Sequence, residues 1–438
     1  MRRFTTALAI LALMLTPGTA RATPHDLFGL GARSQALGMT GVSYSEDYEA
    51  VLSNPAGLGR ARRRGIHLGL SAGAYDLRID GERHPMDSAR GMTIGATLPL
   101  PFGDVLQDRL VLGLGVYTPQ QVLLRGNVRF PDVPQFPVLE RAQSLGILFG
   151  LGIDLHSTEL EGLRLGIGVS AIADVIGELD VRLDETNSFT STVETQLLAT
   201  FAPLAGISYD RDEWSFGLVY RHELRANMDL EIRTADLPVT LPVLTVGGLV
   251  QYDPAQLAGE VSYRPDPNLR IIANLTWRMW SHYPGPQTPT SLSSLQAPHP
   301  GFSDVVSPRV AVEGTLRDRQ ATLHIRGGYA LEMSPSPEAR LAPRRNPDGS
   351  PVMNGTMLDQ VPLRFLDNDR HLVTAGLGIT WDLSARERVR LDLFGQAHFL
   401  VDRVHLVERT GNEAAEDGEG MVTGGTFLVG GWTIALEF

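Results

Sequence analysis

Segments in which apolar and polar residues alternate recur along almost the whole chain, and they constrain its fold more than any other feature. In the first segment, Ile66, Leu68 and Leu70 alternate with His67 and Gly69. A period of two is typical of β-strands that bury one face. About fourteen strands are predicted in this way, at 66–79, 91–101, 110–119, 144–155, 163–175, 198–209, 214–230, 255–263, 269–281, 307–317, 321–331, 371–382, 388–400 and 424–438.

The predicted connections between these strands alternate in length. Short turns are expected at 101–109, 156–162, 210–213, 264–268, 317–320 and 383–387. Longer loops are expected at 80–90, 120–143, 176–197, 231–254, 282–306, 332–370 and 401–423. Short turns at one end and long loops at the other are typical of a bacterial outer-membrane β-barrel, in which an even strand count places both termini on the periplasmic, short-turn side. A bulge is expected to break the seventh strand near Leu224.

The polar faces of the strands carry charges of both signs, which suit a wet or plugged lumen and would be costly in hydrocarbon. Examples are Arg270, Glu313, Arg326, Asp392 and His398. The opposite, apolar faces are therefore predicted to meet lipid. Aromatic residues near the strand ends are predicted to lie at the membrane interfaces: Tyr117, Trp214, Tyr220, Trp277, Trp280, Tyr329, Trp381 and Trp432.

The N-terminus predicts export. Arg2 and Arg3 precede a largely apolar run, and Ala20-Arg21-Ala22 fits a cleavage site, so residues 1–22 are expected to be a signal peptide. The chain has no cysteine, which excludes a lipid anchor on cysteine after that site. The net charge of −12 disfavours binding to nucleic acid. No later segment reaches the roughly 18 apolar residues of a membrane helix, so a helical membrane protein is also excluded.

Residues 23–64 are rich in turn-forming residues and lie between the signal peptide and the first strand. Asn54-Pro55-Ala56 is a turn former, because proline fixes φ, restricts the residue before it and follows an asparagine that can bond nearby backbone. Gly57 and Gly59 permit backbone geometries that other residues resist. Two interpretations stay open: a plug inside a closed sheet, or an exposed linker.

The sequence carries no recognised catalytic motif. It lacks His-Glu-x-x-His, Gly-x-Ser-x-Gly, a phosphate-binding loop and any cysteine ligand. His398 has no serine at a neighbouring position on the same face, so a Ser/His pair is not expected there. An enzyme, a cofactor and a metal site are therefore not predicted.

Several motifs in this order resemble the FadL/TodX family of outer-membrane transporters for long-chain fatty acids and other hydrophobic molecules, and the resemblance covers essentially the whole chain after residue 22. The motifs are the stretch from Gly31 to Gly41, Asn54-Pro55-Ala56, Trp277-Arg-Met-Trp280-Ser281, Gly328-Tyr329 leading to Ser334-Pro335, and Leu366-Asp-Asn-Asp-Arg-His371 with Gly376-Leu-Gly378. The resemblance implies an all-β fold, a monomeric transmembrane antiparallel barrel of fourteen strands at 65–438. It also implies that residues 23–64 form a hatch, or plug, in the lumen.

The resemblance further implies how a ligand would move. A groove formed by extracellular loops would capture it and pass it to an internal site. A shift of the hatch would then open a lateral path through a kinked third strand into the outer membrane. In this chain the hatch turn would be Asn54, Pro55 and Ala56. The kinked strand would be 110–119, with distortion at Gly113 and Gly115.

Two sets of residues are candidates for ligand contact. The loop 121–139 is unusually apolar, and its side chains either form the outer groove or pack as the loop's own core: Val122, Leu123, Phe130, Phe136 and Leu139. Lumen-facing arginines either hold a carboxylate of the ligand or pair with protein carboxylates such as Glu313 and Asp392: Arg278, Arg309 and Arg326. Four arginines that close the predicted plug either pair with lumen carboxylates or form a solvated turn: Arg60, Arg62, Arg63 and Arg64.

Together these features predict passive, hatch-gated uptake of fatty acids or other hydrophobic small molecules across a bacterial outer membrane. The expected partners are that ligand, outer-membrane lipid and lipopolysaccharide. A lipopolysaccharide leaflet resists apolar permeants, so a protein that delivers them into the membrane supplies a route. Two alternatives stay open: a porin for polar solutes, and a barrel that does not transport but serves as a scaffold for secretion or adhesion.

Overall fold

The computed structural model describes most of the chain after residue 26. The described residues are 27–86, 88–102, 109–119, 124–125, 133–139, 143–156, 160–183, 189–235, 244–286, 299–318, 321–337, 340–343, 346, 350–406 and 420–438. Within these ranges no helix has the length and apolar character needed to cross a membrane. The predicted signal peptide at residues 1–22 lies outside the described residues.

Fourteen of the described strands pair antiparallel, each with the next along the chain, and the last pairs with the first. The closing ladder runs from Gly65↔Glu437 to Ile79↔Thr423, so the ring leaves no open edge. The strands are β1 Gly65–Ile79, β2 Ala89–Pro99, β3 Leu110–Pro119, β4 Gly146–Asp154, β5 Leu163–Leu183, β6 Phe189–Arg211, β7 Trp214–Arg221, β8 Gln256–Asp266, β9 Leu269–Arg278, β10 Val305–Arg317, β11 Ala321–Glu332, β12 Arg370–Asp382, β13 Arg388–Leu406 and β14 Gly420–Glu437. The predicted fourteen-stranded barrel is confirmed.

Further short helices and strands are not part of this ring of fourteen strands. The helices are α1 Ala32–Ala36 and α2 Ala50–Ser53, with 3-10 turns at Pro55–Arg60 and Trp280–His282. The further strands are Glu82–Arg83, Leu124–Arg125, Gln143–Ser144, Leu224–Ala235, Leu244–Asp253, Arg340–Pro343, Met353–Asn354, Met357–Leu358 and Gln360–Leu363. The helices of the N-terminal segment, residues 27–64, come before the first barrel strand in the chain.

The predicted loop at 176–197 is largely strand, which corrects the sequence-based boundaries. β5 and β6 continue through it as one ladder that ends at Leu183↔Phe189. The seventh strand stops at Arg221, and the chain starts a new strand at Leu224. That strand, Leu224–Ala235, pairs in parallel with the upper part of β5, from Met228↔Val175 to Ala235↔Arg182. Because this strand lies along β5, the barrel wall extends well beyond the predicted ends of its strands.

The two faces of the ring differ as the alternation predicts. Outward side chains such as Ile167 and Leu316 are 63% and 60% exposed. Inward charged side chains such as Glu313, Arg326 and Asp392 are at most 5% exposed. An apolar outer surface and a buried, charged interior are the reverse of a water-soluble barrel and suit hydrocarbon outside.

The two ends of the described chain lie at opposite ends of the barrel. Phe438 exchanges backbone hydrogen bonds with Arg64 at the end that carries the short turns. Leu27 packs instead with Leu77 and Met421, at strand ends that face the long loops. Residues 27–64 therefore extend from the long-loop end of the barrel to its short-turn end, and the predicted position of the N-terminus itself falls outside the described residues.

At two glycines, the wall formed by β5 and β6 lies in direct contact with the N-terminal segment. A Cβ added to Gly166 would lie under 3.0 Å from the backbone of Pro55 and Ala56, and one added to Gly206 would lie equally close to Asn54. On the outer side of the same wall is an apolar hollow of about 560 Å³, lined by Leu165 and other aliphatic side chains. The glycines allow the wall to bend inward and contact the segment.

We expect Gly166→Val to destabilise the protein by about 2–3 kcal/mol, because the new side chain would overlap the backbone of the N-terminal segment. Urea unfolding in lipid vesicles measures this. Gly395→Val is the matched control, since an added Cβ at that strand position meets nothing within 4 Å. Equal stabilities of the two variants would contradict the close approach.

Candidate functional site: the N-terminal segment and the lumen

Helix α1 of the N-terminal segment is bonded to three neighbouring strands, β12, β13 and β14. Gln396 Nε2 on β13 donates to the carbonyl oxygen of Phe28 at 3.0 Å and to that of Gln35 at 3.0 Å. Thr374 Oγ1 on β12 donates to the carbonyl of Ala36 at 2.8 Å and accepts from the amide of Gly38 at 3.0 Å. The lumen side chains thus satisfy backbone groups that a helix this short leaves unpaired.

Strand β8, which is four strands away from β12 on one side of the ring, holds the next part of the segment through one carboxylate. Glu260 accepts hydrogen bonds from Gly41 N at 2.9 Å, Ser43 N at 2.8 Å and Ser43 Oγ at 2.7 Å. Asn274 Nδ2 on β9 donates to the same carboxylate at 2.9 Å. Since β8 and β13 are well separated around the ring, the segment is fixed to different parts of the wall.

The Asn54-Pro55-Ala56 turn is fully buried against β5 and β6. Asn54 Oδ1 accepts from the amide of Ala56 at 3.1 Å and so caps the 3-10 turn Pro55–Arg60. Asn54 Nδ2 donates to the carbonyl of Val42 at 2.7 Å and to that of Ile207 on β6 at 3.0 Å. The asparagine therefore ties together two parts of the segment and the barrel wall, which an exposed linker would not do.

Ion pairs also join the segment to the wall. Arg33 makes a bidentate contact with Glu313 on β10, at 3.0 and 2.8 Å. Asp47 pairs with Arg390 on β13, which also lies 2.9 Å from Asp392. Pairs that are this well buried are costly to break, because removing one partner leaves an uncompensated charge.

Two of the four arginines that end the segment pair with barrel carboxylates. Arg60 lies 2.9 Å from Asp210, and Arg62 lies 2.5 Å from Asp154. For Arg60 and Arg62, pairing with lumen carboxylates therefore fits better than a solvated turn.

The predicted carboxylate contacts fall into two groups. Arg278 and Arg309 share the buried carboxylate of Glu332, with Arg309 Nη2 at 2.7 Å from it, and Arg370 Nη2 is 4.0 Å away. Arg326 pairs separately with Glu313 at 2.9 Å and with Asp392. Each arginine therefore has a carboxylate of the protein beside it, which favours the structural interpretation. Contact with a ligand carboxylate stays a prediction.

Arg278 and Arg309 also line a small cavity of about 50 Å³ between the N-terminal segment and the wall. Glu49 lines the same cavity. Three arginines around Glu332 give this part of the lumen a local excess of positive charge. That excess is the feature an anionic group of a ligand would meet.

The described part of the predicted outer groove is packed as a core. Phe136 and Leu139 are fully buried in a cluster with Leu27, Phe28 and Leu366. The loop is held there by the bonds of Gln135 to the backbone of residues 364–366. Val122, Leu123 and Phe130 lie outside the described residues. For Phe136 and Leu139 the loop-core alternative therefore fits the packing better.

A cluster of aromatic side chains at the long-loop end was not predicted. Tyr252, Trp280, Tyr283, Phe302 and Phe365 pack together, with ring centroids 4.8 Å apart for Tyr283 and Phe302. Trp280 is 1% exposed, so its predicted place at a membrane interface is wrong. The members come from three separate connections, and only the Trp280–Tyr283 spacing could have signalled the cluster in the sequence.

Gly113 and Gly115, the predicted kink positions, lie in a strand that pairs regularly. Leu110–Tyr117 pairs with β4 without a register shift, and all of β3 pairs in the same way with β2. A Cβ at Gly113 would lie 2.6 Å from Val51 and 2.7 Å from Leu58 of the N-terminal segment. These glycines make room for the segment in this conformation, and kinking of β3 stays a prediction.

Glu49 caps helix α1 from within the segment. Its carboxylate accepts from the amides of Arg33 and Ser34, both at 3.1 Å, and it is 3% exposed. Burial and the neighbouring Asp47 carboxylate raise the pKa of Glu49 to about 8. The group therefore holds a proton in the folded protein at a pH where it would be ionised in the unfolded chain.

We expect Glu332→Gln to lower the free energy of unfolding by about 3 kcal/mol, because three arginines lose their shared carboxylate. Urea unfolding in lipid vesicles at constant pH measures the change. Glu46→Gln is the matched control: its side chain is 52% exposed and pairs with Arg33 alone at 3.3 Å, so we expect a change of at most about 0.5 kcal/mol. A tolerated Glu332→Gln would show that the arginines are not held by this carboxylate.

We expect the stability of the protein to fall, relative to Glu49→Gln, as the pH rises from about 4.5 to about 8. The pKa of Glu49 is raised in the folded state, so the folded protein binds more protons in this window and loses stability as they dissociate. Parallel urea unfolding of both proteins across this range measures the difference. A constant difference would mean that Glu49 titrates normally.

The comparisons with known proteins concern this barrel as a whole. The chain matches no protein-family model and no curated protein sequence. Among solved structures it is similar to a FadL homologue from Pseudomonas aeruginosa, at 14% identity over 96% of this chain and 98% of that one, with a TM-score of 0.55. It is also similar to the toluene transporter TodX of P. putida, at 13% identity over 94% of this chain and 99% of that one, with a TM-score of 0.52. Over nearly its full length, the chain therefore shares the fold of these two proteins.

Proposed function

We propose that this barrel lies in a bacterial outer membrane and takes up a hydrophobic small molecule passively, with residues 23–64 acting as a hatch. The observation that carries the proposal is the bonding of the N-terminal segment to widely separated strands, through Glu260 on one side and Gln396 and Arg390 on another. A barrel filled by its own chain does not suit free diffusion of polar solutes. It suits a ligand that is bound first and admitted when the hatch moves.

The fold supports the same class of ligand. One structure of the same fold is titled a FadL homologue, and another a toluene transporter. We therefore propose a fatty acid or another hydrophobic compound as the ligand. Outer-membrane lipid and lipopolysaccharide would surround the barrel, whose outer face is apolar. We propose that it works as a monomer and without a cofactor.

The aromatic cluster at the long-loop end is a buried apolar region through which such a ligand could pass. Tyr252, Trp280 and Phe302 form an apolar floor there, and a ligand has to separate these rings or pass beside them. Beneath them lie Arg278 and Arg309 with Glu332. An amphiphilic ligand could thus place its chain among the rings and its polar end near the arginines.

The short-turn end of the lumen supports sideways release. The cavity there is lined by arginines, carboxylates, threonines and histidines, including Arg390, Glu437 and Thr380. The transfer of an apolar ligand into this cavity would raise the free energy, because the ligand would leave hydrocarbon for a polar space. We propose that a shift of the hatch opens the wall instead, at β3 near Gly113 and Gly115, where glycines face the hatch.

The test is uptake by cells. We expect a strain that lacks the protein to take up oleate or toluene several-fold more slowly than the parent strain, and the gene on a plasmid to restore the rate. A polar solute such as glucose is the control, and its uptake should not change. Unchanged uptake across a broad panel of fatty acids and aromatic hydrocarbons would count against the proposal.

Conductance in planar bilayers separates the alternatives. The intact protein should be closed, and a variant that lacks residues 27–60 should conduct ions, because the barrel would lose the segment bonded to its wall. A steady open conductance of the intact protein would favour a porin. Normal uptake without the protein, together with a stable protein partner, would favour a scaffold for secretion or adhesion.

A further inference from the structure

A polar cavity of about 340 Å³ lies at the short-turn end of the barrel, between the N-terminal segment and the wall. We call it the vestibule, and Arg63, His67, Thr97, Arg388 and Arg390 are among its lining residues. Its rim reaches solvent, because the side chains of Arg62 and Arg388 are 53% and 36% exposed. A small solute could therefore enter it without any movement of the N-terminal segment.

Positive charge predominates among the groups that line the vestibule. Seven arginines face it, against three carboxylates. All three carboxylates are engaged: Glu46 pairs with Arg33 at 3.3 Å, Asp47 pairs with Arg390, and Glu437 lies 3.7 Å from Arg390 and 3.8 Å from Arg388. The other carboxylates that neutralise the arginines, such as Asp392, are not among the lining residues. The space itself is thus bordered by an excess of guanidinium groups.

His67 is buried beside this space without a hydrogen-bond partner. It is 1% exposed, and neither ring nitrogen has a partner among the described residues. Its ring lies 4.5 Å from that of Tyr48, which fixes its orientation, and a Cβ on Gly65 would lie 2.9 Å from Nε2. Buried polar atoms without partners cost free energy, so something that is not part of the chain is expected to bond this ring.

Two further unpaired groups belong to residues that line the same space. Thr97 is 3% exposed and its hydroxyl has no partner; the register Gly65↔Thr97 places it next to the start of β1. Arg63 Nη1 is also buried and unpaired, and its Nη2 donates only to the carbonyl of Ala385 at 3.3 Å. Arg63 is the one arginine lining the vestibule that pairs with no carboxylate among the described residues.

All three unpaired groups can donate hydrogen bonds: a guanidinium, a hydroxyl and an imidazole N–H. Unpaired donors that line one positively bordered space fit an oxyanion, whose oxygens accept several such bonds at once. We propose that the vestibule binds a small oxyanion, a phosphate or a carboxylate, through Arg63, His67 and Thr97. This site is separate from the path of a hydrophobic ligand, so it stands or falls independently of the transport proposal.

The proposal is tested by equilibrium dialysis of the full-length, folded protein in detergent against radiolabelled inorganic phosphate, at neutral pH and low ionic strength. We expect saturable binding of one phosphate per barrel. Acetate should displace it if a carboxylate fits the same donors, whereas chloride at equal ionic strength should not. Absence of saturable binding of both phosphate and acetate would overturn the proposal, since water alone would then satisfy the three groups.

Variants locate the site. Arg63→Gln should weaken phosphate binding about tenfold, the effect of losing one charge-assisted hydrogen bond. Thr97→Val and His67→Phe keep the shape of each side chain, and His67→Phe keeps the contact with Tyr48, so each should weaken binding while circular dichroism stays unchanged. Arg211→Gln is the matched control, because that arginine ends β6 with its side chain 74% exposed. If Arg211→Gln weakened phosphate binding equally, or if the three other variants did not weaken it, the anion would be held by surface charge in general. Either result would overturn the proposed site.

Discussion

The structure depends on the closure of its sheet. The ladder between β1 and β14 runs over fifteen residue pairs, and through it every one of the fourteen strands has a partner on both sides. In hydrocarbon an unpaired strand edge would cost several kcal/mol for each amide or carbonyl left without a partner. Closure therefore decides which residues face out and which face in. The inward set then has to be satisfied by something other than lipid. Part of it bonds to the N-terminal segment, as Gln396 and Glu260 do, and part forms ion pairs within the wall, such as Arg326 with Glu313.

Much of this architecture could be predicted from the sequence, because a period of two is a local signal. The alternation predicts all fourteen strands, but the bulge expected near Leu224 is instead the start of a separate strand, Leu224–Ala235. Strand ends were less accurate: β5 and β6 run on beyond the predicted ends, because their extension is stabilised by the strand Leu224–Ala235, a pairing between distant segments that no local pattern records.

The site was predicted only in part, since its contacts join residues that are far apart in the sequence. The lumen arginines were identified by strand parity, but Glu332, which neutralises Arg278 and Arg309, was not. The bonds of Asn54 to Val42 and Ile207 give the turn a role that turn propensity alone cannot reveal. Phe136 and Leu139 were candidates for a groove because they are apolar in a loop, and the same property makes them pack against Leu27 and Phe28.

The bond from Ala32 N to Thr433 Oγ1, at 3.2 Å, joins residues 401 positions apart. Synthesis makes the N-terminal segment before any strand of the barrel, yet its binding partners extend to the final strand. The segment therefore cannot make all of its contacts until the last strand has joined the ring, and the entropy of closing so long a stretch of chain makes this docking slow. The first described residues of the chain would then be among the last to become ordered.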